Sequence, residues 1–342
     1  MALSTLLVGF GFSATTFHLP FLSSLNEYTV TGVVSSRPQN VADQLSDTPV
    51  YASLDEALDA ASFDLVIITT PNHLHAEQAR LALQHRCHVL VEKPFTLTVA
   101  DAQALVALAE DAGTSLNVYQ NRRFDDDFLT ISALLEQQRL GEIKQLVSRF
   151  DRFRPTPRDR WRENAGPGSG ILWDLGPHLV DQALQWFGVP DALYADVDIL
   201  RDGGQSTDSF DITLYYPTHQ VRLGSSPFQA AETLRFDVQG TAGSFRSMGM
   251  DPQENQLRSG MLPGHADFGK RPPGGFGQIC NAQGCAPETF ESGNYTGFYR
   301  QLAAAINQGK PGPAPAITVV DVINLLQMAE QSAMAGKKIN VS

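Results

Sequence analysis

The sequence predicts an α/β amino-terminal half built on a doubly wound parallel sheet, followed by an α+β half with an open, mostly antiparallel sheet. Three observations predict it. Apolar runs alternate with helix-period segments as far as Tyr119, the rhythm of strands joined by crossover helices. A glycine-rich turn, Gly9-Phe10-Gly11-Phe12-Ser13-Ala14, follows the first of those runs directly. Beyond Gln145 the runs succeed one another with few intervening helices and partly alternate in polarity, as strands with one covered face do.

Leu3 to Val8 is an apolar run broken by Ser4 and Thr5, and reads as a central parallel strand covered on both faces. Val30 to Val34 is a second strand, ending at Ser35-Ser36-Arg37. Ser53 and Glu56 have capping-box spacing, with Leu54, Ala57, Leu58 and Ala61 following at helical intervals. Asp64 to Thr70 is a third strand closed by Pro71-Asn72, and His73 to His85 a helix. His88 to Val91 is a fourth strand leading into Glu92-Lys93-Pro94, Thr98 to Ala112 an alanine-rich helix, and Leu116 to Tyr119 a fifth strand. In the second half, Phe128 to Gln138 and Asp174 to Trp186 read as helices. Gln145 to Phe150, Leu193 to Ile199, Phe210 to Tyr216, Val221 to Ser225 and Leu234 to Gln239 read as strands. Met250 to Gly293 is rich in Gly and Pro and reads as long loops, before closing helices at Tyr295 to Asn307 and Thr318 to Ala335.

A chain of 342 residues exceeds one ordinary core and divides into domains at 1–121 and 122–342, with the terminal helix free to pack back on the first. Apolar residues make up 42% and charged residues 18%, the balance of a well-buried globular protein. A net charge of −12 repels nucleic acid and anionic lipid. No run reaches the roughly 18 apolar residues of a membrane helix. Leu3 to Val8 is too short, and lacks the charged leader, for a signal peptide. Cys87, Cys280 and Cys285 complete no zinc pattern and read as reduced thiols of a cytoplasmic protein.

Between a strand and a helix, Gly9 and Gly11 let backbone amides approach a pyrophosphate, with Phe10, Phe12 and Ser13 in the same turn; Ala14 permits close helix packing. Ser35, Ser36 and Arg37 stand where NAD enzymes usually place a carboxylate for the ribose. Two hydroxyls and a guanidinium suit a 2′-phosphate instead, which favours NADP over NAD. Thr69, Thr70, Pro71 and Asn72 border the same cleft, as cofactor contacts or as a capped turn; His73 and His75 read as helix-start residues. Lys93 emerges at the carboxyl edge of the sheet, where an ammonium stabilises a hydroxyl losing its proton. Asp174, His178 and Asp181 share helical spacing: His178 is a candidate base, with Asp174 or Asp181 fixing its position. Because Pro177 is tolerated only in a first turn, Asp174 is expected just before the helix or at its cap. No metal is predicted, since hydride transfer to nicotinamide needs none. Arg149, Arg152, Arg154, Arg158, Arg160 and Arg162 crowd around Trp161, either over the dinucleotide phosphates or an anionic substrate, or on a solvated or subunit-facing surface.

With these motifs placed, the chain resembles the Gfo/Idh/MocA oxidoreductases over essentially its whole length. That family joins a Rossmann domain carrying Gly-x-Gly-x-x-Gly/Ala and Glu-Lys-Pro to an α/β domain carrying Asp-x-Gly-x-His-x-x-Asp, found here as Asp174, Gly176, His178 and Asp181. The resemblance implies Lys93 and His178 as a catalytic pair, Asp174 as their substrate-binding or catalytic partner, and Glu92 and Asn121 beside the cofactor. Gly9 to Pro20, Asn121-Arg122-Arg123 and the segment from Asp151 to Arg162 resemble the branch of NADP-dependent scyllo-inositol dehydrogenases. It implies a homodimer that oxidises a small-molecule polyol or sugar. Two other readings remain open: a redox-neutral glycosidase or lyase holding its NAD(P) tightly, and a nucleotide-sensing protein without turnover.

Overall fold

The computed structural model describes residues 2–341 and divides into two compact units. The first contains the chain up to Asn121 together with Gln253–Gly269 and Asn294–Val320; the second contains Arg122–Pro252, Lys270–Gly293 and the chain from Asp321 on.

Six parallel strands form the sheet of the first unit: β1 (Leu3–Val8), β2 (Tyr28–Val34), β3 (Val50–Tyr51), β4 (Leu65–Ile68), β5 (His88–Val91) and β6 (Leu116–Val118), in the order β3-β2-β1-β4-β5-β6. This is the doubly wound order, and its reversal beside β1 puts a crevice at the carboxyl ends of β1 and β4. Leu6, Leu7, Val8 and all four residues of β4 are buried, as continuous apolar runs require when helices cover both faces. Ser53 caps the Leu54–Ala60 helix, Glu56 N donating to Ser53 Oγ at 3.1 Å, while the Glu56 carboxylate reaches one residue further back than in a capping box and accepts from Ala52 N at 3.0 Å. Thr98 caps Val99–Ala112 in the same way, and Gly113 closes that helix at φ 68°.

Nine strands form the sheet of the second unit: β7 (Ile143–Arg149), β8 (Ala192–Asp198), β9 (Ser209–Tyr215), β10 (Gln220–Ser225), β11 (Leu234–Gly240), β12 (Ser244–Met248), β13 (Gly277–Asn281), β14 (Gly284–Glu288) and β15 (Ile339–Asn340). Their order is β14-β13-β12-β11-β7-β10-β9-β8-β15, and only β7 and β10 pair in parallel. Phe210, Ile212 and Leu214 of β9 are buried, whereas Asp211, Thr213 and Tyr215 are not, so one face carries the core. The fold class therefore agrees with the sequence reading.

Besides β3, β12 and β15, which have no counterpart in the strands read from sequence, three details differ from expectation. Met250 to Gly293 is not all loop: it holds a Gln253–Arg258 helix and the β13–β14 hairpin, whose exposed residues give no apolar run to read. The helix bearing Asp174 begins at Ile171 and runs to Phe187, so Asp174 lies inside its first turn and Pro177 deeper still. Pro177 has no N–H for the Trp173 carbonyl, and packing overrides that loss. Leu172, Leu175 and Leu179 are buried, and a Cβ at Gly176 would stand 2.7 Å from Leu326 Cδ2, so the helix approaches its neighbour closely there. Finally, Cys280 and Cys285 are opposite one another in the hairpin and form a disulfide, leaving Cys87 as a buried free thiol. Among the described residues no helix is long and apolar enough to cross a membrane.

Candidate active site

In the first unit the residues singled out by sequence gather at the carboxyl ends of β1, β2, β4 and β5. Gly9 adopts φ +90°, and a Cβ there would meet Thr69 Oγ1 at 2.9 Å. Thr69 braces this turn by donating to the Val8 and Gly9 carbonyls, each at 3.1 Å. At Gly11 the space a Cβ would occupy is open, with no atom beyond its chain neighbours within 4 Å. The helical run begins at Phe12 and contains a π-helical turn over Ala14–His18, and its first amide groups are the usual donors of a phosphate cradle. Phe10 is buried beneath the turn, while Phe12 projects outward with Arg258 5.5 Å over its ring. The open cradle at Gly11 and these amides fit a dinucleotide pyrophosphate.

At the end of β2, Arg37 N donates to Ser35 Oγ at 3.1 Å, which turns the loop, and Ser36 and Arg37 are exposed. The Arg37 guanidinium has no carboxylate within ion-pair distance among the described residues, so it is available to a phosphate. At the end of β4, Thr70 donates to Gln78 Oε1 at 2.6 Å, Pro71 begins a short 3-10 turn and Asn72 is buried.

Glu92 follows β5 and is buried, but its carboxylate is taken up by protein. Ser13 Oγ donates to Oε1, His18 Nε2 lies 3.2 Å from Oε1, and Lys93 N donates to Oε2 at 3.1 Å. Burial alone would raise this acid; the His18 bond and charge, Lys93 and Ser13 outweigh it and hold it at about 2. One carboxylate thus ties the glycine turn to the backbone of Lys93, whose side chain is half-buried. Tyr299 extends the chain of contacts, its hydroxyl 3.0 Å from His18 Nδ1 and donating to Phe17 O at 2.6 Å. Nothing local in the sequence announced His18 or Tyr299. His75, read as a helix-start residue, is in fact buried between two loops, its ring nitrogens 2.8 Å from Pro94 O and 3.0 Å from Thr70 O. Desolvation pushes its pKa down against the pull of those carbonyls. Asn121 is buried at the start of a 3-10 turn.

In the second unit, Asp174 and His178 are one turn apart on the Ile171–Phe187 helix, Asp174 half-buried and His178 5% exposed. Asp181 does not serve His178: Arg123 Nε and Nη2 grip its two oxygens at 2.8 and 2.6 Å. Burial raises the Asp181 carboxyl while Arg123 opposes it. Of the two carboxylates open to partner His178, Asp181 is therefore committed elsewhere. Arg162 Nε and Arg152 Nη1 approach Asp174 at 3.7 and 4.0 Å. Among the described residues, no group of three or more His, Cys, Asp or Glu side chains has metal-binding geometry.

Comparison with known proteins bears on this arrangement. A family model described as an oxidoreductase family with an NAD-binding Rossmann fold matches residues 3–120, and one for the C-terminal alpha/beta domain of an oxidoreductase family matches residues 132–341. The chain is 39% identical to the uncharacterized oxidoreductase YdgJ of Escherichia coli, covering 96% of this chain and 95% of that one. It is 35% identical to the scyllo-inositol 2-dehydrogenase (NADP(+)) IolW of Bacillus subtilis, covering 97% and 94%. Among solved structures, the oxidoreductase YvaA of Bacillus subtilis superposes with a TM-score of 0.95 at 34% identity, over 99% of this chain and 98% of that one.

Proposed function

The chain belongs to the Gfo/Idh/MocA oxidoreductases and is an NAD(P)-dependent dehydrogenase, and we propose that it oxidises a secondary alcohol of a cyclic polyol or sugar such as scyllo-inositol, with NADP as its preferred cofactor. The observation that carries the cofactor choice is Arg37, an exposed guanidinium without a carboxylate partner among the described residues, placed beside Ser35 and Ser36 at the end of β2. A 2′-phosphate satisfies it with paired charge-assisted bonds, whereas a ribose hydroxyl does not. Similarity to a relative named for NADP and scyllo-inositol supports the same reading.

Bound nicotinamide supplies the hydride acceptor. The chain's own residues handle the proton: His178 removes it from the reacting hydroxyl, and Lys93 stabilises the developing alkoxide. Asp174, one turn before His178 on the same helix, orients the substrate. Glu92 holds the backbone at Lys93 and so sets where its ammonium begins. A cytoplasmic homodimer completes the proposal, supported by the second face of the nine-stranded sheet, where Tyr194, Thr213 and Tyr215 are only half-buried.

The direct test is the initial rate of reduced-nicotinamide formation by purified protein, with NADP and NAD in parallel against inositols and aldoses. Inositol turnover with NADP is the expected result. Activity with NAD alone overturns the cofactor assignment; redox-neutral turnover with copurified, non-exchanging cofactor overturns the reaction.

A further inference from the structure

Arg152, Arg154, Arg158, Arg160 and Arg162 fall within eleven residues of a chain whose net charge is −12. In the second unit they converge instead of spreading over the surface. Glu163, whose side chain is 8% exposed, sits among them and accepts from Arg160 Nε at 2.6 Å, Arg158 Nε at 3.1 Å and Arg201 Nη1 at 2.9 Å. Arg201 is gripped on its other side by Asp208 at 2.9 Å. Burial would raise the Glu163 carboxyl, but the Arg158 amide and the Arg160 guanidinium hold it at about 2, so it remains a fixed negative anchor. The buried Glu163, Arg201 and Asp208 line a cleft together with Arg152, Arg154, Arg160, Arg162, Asp174 and Ser226.

The cleft is not neutral. Five arginines line it against Glu163, Asp174 and Asp208, an excess of two positive charges. Arg162 stands 3.7 Å from Asp174, beyond hydrogen-bond distance. Arg154 has no carboxylate within ion-pair distance among the described residues. Desolvation and the charges of Arg152, Arg158 and Arg160 push Arg154 down to about 10, which is the mark of like charges held together without enough counter-charge. Ser226 Oγ accepts from Phe228 N at 3.2 Å, an arrangement that leaves its hydroxyl hydrogen to donate into the cleft. Gly170 shapes the wall: its φ is +89°, and a Cβ there would collide with Thr207 Oγ1 at 2.3 Å.

We propose that this cleft binds an anionic substituent of the substrate, a phosphate monoester or a carboxylate, with Arg154 and Arg162 as its principal donors. Planar guanidinium forks match the paired oxygens of both groups. The proposal rests on the dehydrogenase reading above, because Asp174, assigned there to the substrate, forms one wall of the cleft. The substrate class then narrows to a polyol or sugar carrying one charged group, and a neutral inositol is the weaker ligand.

The experiment compares scyllo-inositol, myo-inositol 1-phosphate and D-glucuronate as substrates with NADP in low-salt, phosphate-free buffer, for wild type, Arg154→Ala and Arg154→Gln. Calorimetric titration with inorganic phosphate accompanies it, with thermal unfolding as the folding check. A charged polyol should show the higher kcat/KM, and both variants should raise its KM by about tenfold or more relative to that of the neutral one, as loss of a charge-assisted bond requires. The phosphate and glucuronate arms identify which anion the cleft takes. If wild type turns over neutral inositol and gains nothing from either charge, or if the variants weaken neutral and charged substrates equally, the proposal is overturned while the dehydrogenase reading stands. If phosphate binds wild type and not the variants, yet no polyol is oxidised, the cleft stands and the substrate reading falls.

Discussion

His18 Nε2 lies 3.2 Å from Glu92 Oε1 in the interior of the first unit, joining the helix after the glycine turn to the residue that precedes Lys93. Glu92 is the carboxylate on which the Ser13 hydroxyl, the His18 ring and the Lys93 amide converge, and its loss should be felt in stability before anything else. Its folded-state value is about 2, against an ordinary 4.5. Because the folded value is the lower one, the stability it contributes is present above about 4.5 and is lost as pH falls towards 2. Glu92→Gln should therefore cost up to about 3 kcal/mol at pH 7, shrinking steadily below pH 4.5. Urea denaturation of wild type and variant at pH 7, 5, 4 and 3 measures this. A pH-independent difference would remove the ionised carboxylate from the account.

Gly11 and Gly9 should respond oppositely to a side chain. A Cβ at Gly11 enters open space, and one at Gly9 meets Thr69 in a backbone conformation that disfavours it. Gly11→Val should keep the unfolding temperature within about 3 °C of wild type yet weaken NADPH binding at least tenfold, by filling the approach to the pyrophosphate. Gly9→Ala should lower stability. NADPH fluorescence titration and thermal unfolding separate the two; unchanged affinity in Gly11→Val would mean that the pyrophosphate lies elsewhere.

Arg37→Ala should raise the KM for NADP by about ten- to a hundredfold, the worth of one or two charge-assisted bonds, and change that for NAD little. Parallel steady-state kinetics with both cofactors decide it. Equal effects on the two would detach Arg37 from the 2′-phosphate.

Lys93→Ala and His178→Ala, made separately, should each lower kcat by about a hundredfold or more while NADPH still binds. For His178→Ala the loss should be greatest in the pH range where wild type depends on a free base. Near wild-type turnover in both variants would dismiss the pair as proton-handling groups.

Arg235 is fully buried and stands 3.4 Å from Asp127, while Ser148 and Gln182 accept from its guanidinium at 2.6 and 2.8 Å. Arg235→Met would leave the Asp127 carboxylate inside the second unit without its cation, at a cost of about 3–5 kcal/mol. The double variant Asp127→Asn, Arg235→Met should recover part of that loss. Denaturant midpoints for the three proteins test it, and a single variant as stable as wild type would show that the pair contributes no net stability.

Much of the first unit was legible in the residues themselves. Leu3–Val8 and His88–Val91 occur with the bounds read from sequence, and the helix read from Thr98 begins at Val99 with Thr98 as its cap, because burial on both faces of a parallel sheet favours a mostly apolar run and a helix start favours a side-chain acceptor. The glycine turn and the positions of Lys93 and Arg37 at strand ends follow from the same local rules. The β13–β14 hairpin was not legible, since its residues are largely exposed and its strands carry no apolar alternation.

What the sequence determined by itself is the two-part α/β and α+β architecture and the kinds of residue offered at the strand ends, which depend on short-range periodicity and spacing, with the family following from the resemblance of its motifs. Tertiary structure alone decided which charges meet. Asp181 is drawn to Arg123 and not to His178, and Glu92 to His18. Tyr299 reaches His18 across 281 positions of sequence, and five arginines gather around a cleft that no spacing rule describes. A buried charge is stable only beside a partner that repays its desolvation, and that partner is chosen by where the chain brings groups together in space, which carries no period along the sequence.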